Sequence, residues 1–218
     1  MMDWIILDKL HHDWISILIF SNLFLLSYTK WRYDRKFLSF FKSIDPSVYF
    51  NNYGNNFFFS KLFGVNILIF SIATISLFLI FILYSLSLTN MILFEFLILF
   101  SFLLSIGLIS YFSYTFLGSL LGAKKEILVY NFNNLRLLFR ISVFIFIIEF
   151  FHYFYFFDSF LFLRIIFFCA LMFYYFYSIV VIYNFLKSLK GGKFYFILYL
   201  CTLKTTPWVF IYWFIKYI

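Results

Sequence analysis

The sequence predicts an all-α fold, a polytopic transmembrane bundle of six helical spans in a single domain covering residues 1–218. Hydrophobic residues make up 65% of the chain and charged residues 12%, whereas soluble chains carry about 25% charge. The apolar residues also fall into long runs, and roughly 20 apolar residues in a helix cross the ~30 Å hydrocarbon core of a bilayer. No stretch is left for a separate soluble domain.

The first predicted span, residues 14–29, lies between Trp14 and Trp31, two candidate anchors at the membrane interfaces. A basic segment, residues 30–61, follows it. Within this segment RKFLSFFK, residues 35–42, places phenylalanines near one helical face and predicts an interfacial helix on an anionic leaflet. Because the first span is short, the alternative is a five-span layout in which the first apolar segment, residues 14–29, lies in the interface.

The second and third predicted spans are residues 62–88 and 91–121. The third is longer than a bilayer requires and ends near Gly118, with Gly122 just beyond it. Two glycines four residues apart let another helix approach closely, so we expect this pair to support helix packing.

A second basic connector, residues 124–140, leads into the fourth predicted span, residues 137–157. The fifth span is predicted at residues 160–186. A third basic connector, residues 187–193, precedes the sixth and last span, residues 194–217.

The three basic connectors predict the orientation of the bundle. They hold six, four and three of the 17 lysines and arginines, and six spans place all three connectors on one side of the membrane. By the positive-inside rule that side is cytoplasmic, so both termini are predicted to lie outside, N-out and C-out. The basic residues predicted to bind the anionic phospholipids of this surface include Arg35, Lys36, Lys124, Lys125, Lys187 and Lys190.

The sixth predicted span carries Lys204 near its middle, where a charge costs at least ~2.5–3.5 kcal/mol on insertion scales. Pro207 leaves the carbonyl of Leu203 without its helical donor, close to that lysine. The predicted partner of Lys204 is Glu149 in the fourth span, with His152 one turn further on the same face. Two interpretations stay open, an ion pair that fixes helix register and a proton or ion relay.

The sequence gives little support for a metal site, an enzyme active site or nucleic-acid binding. Glu149-x-x-His152 resembles half of a di-iron site, but such sites need further carboxylates from facing helices. The sequence also contains no phosphate-binding glycine loop and no nucleophile elbow. We therefore expect no metal, no cofactor and no enzymatic activity. Basic residues interleaved with apolar ones favour acidic lipid heads over nucleic acid.

The stretch FYFILYLCTLKTTPW, residues 194–208, is similar to the terminal pattern of the Bacteroidota integral-membrane family catalogued as domain of unknown function 4271. LYLCTL, residues 198–203, and Pro207 fit that pattern, whereas Lys204 stands where the family has an acidic residue. Weaker likeness covers the basic segment after the first span and LGSLLGAKKEILVYNF, residues 117–132. The resemblance implies a bacterial inner-membrane location and no established activity.

We expect the chain to be a non-catalytic integral subunit or scaffold that packs against other membrane proteins of a cell-envelope complex. The alternative is a small transporter or proton- or ion-conducting protein that uses a cluster of Glu149, His152 and Lys204. The expected location is the bacterial inner membrane. The mitochondrial inner membrane is the alternative, because 28% aromatic residues also suit an AT-rich organellar genome.

Overall fold

A computed structural model describes residues 13–42, 62–86, 92–120, 122, 124–155 and 160–188, and within these ranges the chain forms six α-helices and no β-strand. The helices are α1 (Asp13–Arg32), α2 (Asp34–Lys42), α3 (Leu62–Ser85), α4 (Leu93–Leu120), α5 (Lys124–Tyr155) and α6 (Phe160–Ser188).

Four of these helices, α3 to α6, are long and apolar enough to cross a membrane. They correspond to the second to fifth predicted spans. The first predicted span is helical as α1, but α1 is not among the four. The sixth predicted span, residues 194–217, lies outside the described residues.

α3 is the central helix of the described bundle. It has no charged residue and is apolar around its whole circumference, a pattern typical of a helix that is buried on all sides. Its neighbours are α1, α4, α5 and α6. Accordingly 67% of the most apolar segment of α3 is buried, whereas the buried share of the corresponding segment is 6% in α4 and 11% in α6.

α3 and α5 run in the same direction. Near the middle of both helices the hydroxyl of Ser142 donates to the backbone carbonyl of Ser71. Nearer their ends the rings of Phe81 and His152 lie 5.6 Å apart. Because residue numbers rise together along the two helices, the connection between them must return through α4.

The other long helices run the opposite way. Tyr33, just past α1, contacts Phe63 at the start of α3, and the starts of α1 and α4 meet through Trp14 and Phe96. We call the end of the bundle where α1, α4 and α6 begin the Asp13 end. The opposite end, where α2 lies, is the Lys42 end. Among the described residues, α2, the start of α5 and the end of α6, which belong to the three basic connectors, all lie at the Lys42 end.

α5 differs from the sequence-based expectation, because the predicted connector at 124–140 is helical from Lys124 onward. Phe132, Leu135 and Phe139 follow one another at intervals of three and four residues, the spacing of one helical face, and all three are buried. The asparagines of this stretch lie before and between them and do not break the helix. At 32 residues α5 is about 48 Å long, well beyond the hydrocarbon thickness.

α2 is a short amphipathic helix at the Lys42 end. Its buried face packs on α3 and α5, where Phe40 meets the rings of Phe63 and Phe132 in edge-to-face geometry. Arg35 on the other face is exposed and Lys36 is half-buried. The helix predicted at residues 35–42 is therefore present, and its apolar face is covered by the bundle.

Candidate functional site

The interface between α3 and α5, which we call the α3–α5 seam, carries polar side chains inside an apolar bundle. Ser71 and Thr74 of α3 and Ser142 of α5 are all fully buried. Thr74 donates to the carbonyl of Phe70 in its own helix at 2.9 Å, as hydroxyls in apolar helices commonly do. The hydroxyl of Ser142 lies 2.8 Å from the Leu138 carbonyl and 3.3 Å from the Ser71 carbonyl, so it links the two helices.

Glu149 lies on the same face of α5 as Ser142, two turns nearer the Asp13 end. Its side chain has 0% exposure, and neither carboxylate oxygen has a hydrogen-bond partner among the described residues. An ionised carboxylate in such surroundings costs several kcal/mol unless it is paired. The group therefore requires a proton, or a counter-charge from beyond the described residues.

His152 follows one turn after Glu149 and is also fully buried. Its imidazole contacts Phe81 of α3, with the two ring centroids 5.6 Å apart. Phe81 also reaches Tyr153 at 6.5 Å, so aromatic rings line the seam at this level. Glu149 and His152 are therefore two buried acid–base groups one turn apart on the same face of α5.

No described lysine or arginine is a hydrogen-bond partner of the Glu149 carboxyl group. α3 has no lysine or arginine. Arg140 precedes Glu149 by nine residues on α5, about 14 Å along the axis. Arg164 near the start of α6 donates to the carbonyl of Ser85, at the Asp13 end. In the described part of the chain Glu149 therefore sits in an apolar layer between two arginine-containing levels.

The pairing of Glu149 with Lys204 stays a prediction, since Lys204 and Pro207 lie outside the described residues, as does Lys190. The side chains of Lys124, Lys125 and Lys187 are likewise not described, although all three residues belong to helices at the Lys42 end. Among the described residues no group of three or more His, Cys, Asp or Glu side chains could hold a metal ion.

The two predicted packing glycines have different surroundings. A Cβ atom on Gly118 would lie 2.8 Å from Cδ1 and 3.2 Å from Cβ of Ile127, so α4 and α5 approach closely there. Gly122 lies in the turn between these helices with φ +65°, and nothing lies within 4 Å of where its Cβ would be. Gly122 thus suits the left-handed turn, and the role of the two glycines as a packing pair stays a prediction.

A second polar region, which sequence reasoning assigned to the membrane surface, lies on α5 at the Lys42 end. Arg136 is only 4% exposed. Arg140 donates to the carbonyl of Phe41, in the last turn of α2, and lies 3.5 Å from the Tyr177 hydroxyl of α6. A cation at a helix C-terminus satisfies free carbonyls and the helix dipole. The four-residue spacing of these arginines within an apolar stretch was the signal available in the sequence.

Comparison with known proteins gives one result. The family model described as domain of unknown function (DUF4271) matches residues 15–215, from within α1 to almost the last residue. No curated protein and no solved structure matches the chain. Because the match covers nearly the whole sequence, the chain belongs to the DUF4271 family.

Proposed function

We propose that this protein is a non-catalytic integral membrane subunit or scaffold that assembles with other membrane proteins of a cell-envelope complex. The observation that carries the proposal is the contrast in burial between helices. Only 6% of the most apolar segment of α4 and 11% of that of α6 are buried, although each helix is apolar enough to span a membrane. Most of the apolar surface of these two helices is therefore left uncovered by the described residues, which supports contact with neighbouring proteins.

The exposed face of α4 also has features of a helix-packing surface. Its outward residues recur every three or four positions and include Phe112 and Phe116, which are 66% and 65% exposed. Ser101 and Ser105 lie on this same exposed face, four residues apart. Small residues between large apolar ones let a partner helix approach closely in a bilayer.

The proposed location is the bacterial inner membrane, with the mitochondrial inner membrane as the alternative. Anionic phospholipids are proposed partners at the Lys42 end, where the exposed Arg35 and the basic helix termini lie. In the proposed topology this end faces the cytoplasm and the Asp13 end faces outward, with six spans in all.

Purification from native membranes in a mild detergent tests the assembly. We expect stoichiometric membrane proteins to elute with the chain, and Phe112→Ala to release them without changing the thermal stability of the isolated chain. The matched control is Phe24→Ala on α1, which removes a ring that is 72% exposed on a different helix. Elution as a single chain, or equal loss of partners in both variants, would contradict the proposal.

The second candidate function is transport or conduction of protons or ions by a cluster of Glu149, His152 and Lys204. One observation favours it: Glu149 is fully buried without a partner among the described residues, and its neighbour His152 is buried as well. Intramembrane ionisable groups commonly mark ion or proton pathways.

Flux measurements in liposomes test this candidate. A transporter loses proton or cation flux in Glu149→Gln while its assembly persists. If the residues form only a structural ion pair, exchanging the charges of Glu149 and Lys204 in a double variant restores assembly and function together. If they form a relay, the same exchange restores assembly alone.

A further inference from the structure

We propose that Glu149 is a proton-binding site, a neutral carboxylic acid buried in the α3–α5 seam whose proton exchanges with the Asp13 end through His152. This inference rests on the second candidate function, shares Glu149 and His152 with it and names the proton as the ion.

The first step is the enclosure. Ser142 lies opposite Ser71 and His152 lies opposite Phe81, so Glu149 lies at the level of Phe78 on α3. Phe78 in turn contacts Phe167 of α6, with ring centroids 6.2 Å apart. α3, α5 and α6 thus surround this level with aromatic and aliphatic side chains, which offer a carboxylate no hydrogen bond.

The second step is that no described cation is a hydrogen-bond partner of the Glu149 carboxyl group. On α3 the titratable group towards the Asp13 end is Tyr84, since the helix has no charged residue. α6 contributes Arg164, which is exposed and donates to the Ser85 carbonyl. α1 and α4 contribute Asp13 and Glu95, both in the first turn of their helices. These acids add negative charge at the Asp13 end and so offer Glu149 no counter-ion.

The third step is the choice between a proton and the predicted partner Lys204, which lies outside the described residues. A proton neutralises the carboxylate where it is buried and leaves no charge to be paired. The proposed site is therefore complete within the described residues.

The fourth step is the route by which the Glu149 proton reaches one end of the bundle. Towards the Lys42 end the next polar side chain on this face of α5 is Ser142, about 10 Å away along the axis. Ile145 and Phe146 are buried between the two, and Phe146 packs on Phe70 with ring centroids 5.6 Å apart. Towards the Asp13 end the imidazole of His152 follows within one turn, and the described part of α5 ends at Tyr155. The shorter and more polar route leads to the Asp13 end.

The chemistry is a reversible proton transfer. The carboxyl O–H of Glu149 breaks, its proton passes to a ring nitrogen of neutral His152, and the imidazolium releases a proton to water at the Asp13 end. The reverse sequence reprotonates the carboxylate, and no electron or further reactant is involved. His152 is therefore a positioning and relay group, whereas Glu149 is the group that stores the proton.

Infrared spectroscopy of the full-length protein in liposomes tests the proposal. We expect the C=O band of a protonated carboxyl group at neutral pH in wild-type protein, lost in Glu149→Gln and retained in shifted form in Glu149→Asp. Glu149→Gln replaces a neutral group by a neutral group, so its unfolding temperature should match that of wild type. A band that is absent from wild type, or that appears only in Lys204→Met, would overturn the proposal in favour of an ion pair.

The rate at which this band shifts in D₂O tests the His152 route. His152→Gln keeps a polar side chain that takes up no proton, and we expect it to slow the shift at least tenfold. Ser142→Ala, on the opposite side of Glu149, is the matched control and should leave the rate unchanged. Equal rates in wild type and His152→Gln, or slower exchange in Ser142→Ala, would overturn the route. A normal band with no proton flux in liposomes would refute transport and leave the proton site intact.

Discussion

Replacing Gly118 by alanine tests the close approach of α4 and α5 at the Lys42 end. The new Cβ would meet Cδ1 of Ile127 at 2.8 Å and its Cβ at 3.2 Å. The first atom can rotate away, but the second is fixed to the backbone of α5, so the helices must separate slightly. Overpacking of this kind costs about 1–3 kcal/mol, while alanine in a helix gains up to ~1 kcal/mol over glycine.

Gly107→Ala on the same helix is the matched control. There the nearest atom to a new Cβ is Cδ1 of Ile72 at 4.0 Å, an ordinary contact. The propensity gain is the same in both variants, so Gly118→Ala should be less stable than Gly107→Ala by about 1–3 kcal/mol. Reversible unfolding in mixed micelles measures the difference, and Ile127→Val, which removes Cδ1, should recover part of it. Equal stability of the two alanine variants would refute the close approach.

Two further substitutions, each paired with a control substitution, probe other parts of the bundle. Phe81→Ala removes a fully buried ring from the seam and should destabilise the protein by about 3–5 kcal/mol. Phe144→Ala, whose ring is 60% exposed, should stay within about 0.5 kcal/mol of wild type in the same unfolding assay. Arg140→Met removes the hydrogen bond to the α2 carboxyl end, worth about 1.5–3 kcal/mol for a charged donor. Trypsin should then cut α2 faster, whereas Arg164→Met at the opposite end should leave cleavage unchanged.

Runs of apolar residues predict the long helices of the bundle, and α3 to α6 correspond to the second to fifth predicted spans. The prediction of a connector at residues 124–140 was wrong, since α5 already begins at Lys124. A cluster of asparagines and basic residues resembles a connector when each residue is judged alone. The helical spacing of Phe132, Leu135 and Phe139, all buried, decides the local structure instead. Polar residues in such a helix are tolerated where neighbouring helices cover or hydrogen-bond them.

The seam illustrates what sequence periodicity leaves open. The spacing of Glu149 and His152 places them on one face of α5, but only the structure shows that this face meets α3 at Phe81. Likewise, Gly118 and Gly122 look equivalent in sequence and differ because a turn begins between them. The partner helix, the depth and the turn geometry depend on contacts between distant segments, which local spacing does not encode.

A disulfide between α3 and α5 tests the seam most directly, since the hydroxyl of Ser142 lies 3.3 Å from the carbonyl oxygen of Ser71. In a background with Cys169 and Cys201 replaced by alanine, Ser71→Cys together with Ser142→Cys should cross-link in membranes under mild oxidation. Ser71→Cys with Ser105→Cys, which lies on the exposed face of α4, should not. Cross-linking of the second pair with none in the first would contradict the parallel seam, and with it the enclosure of Glu149.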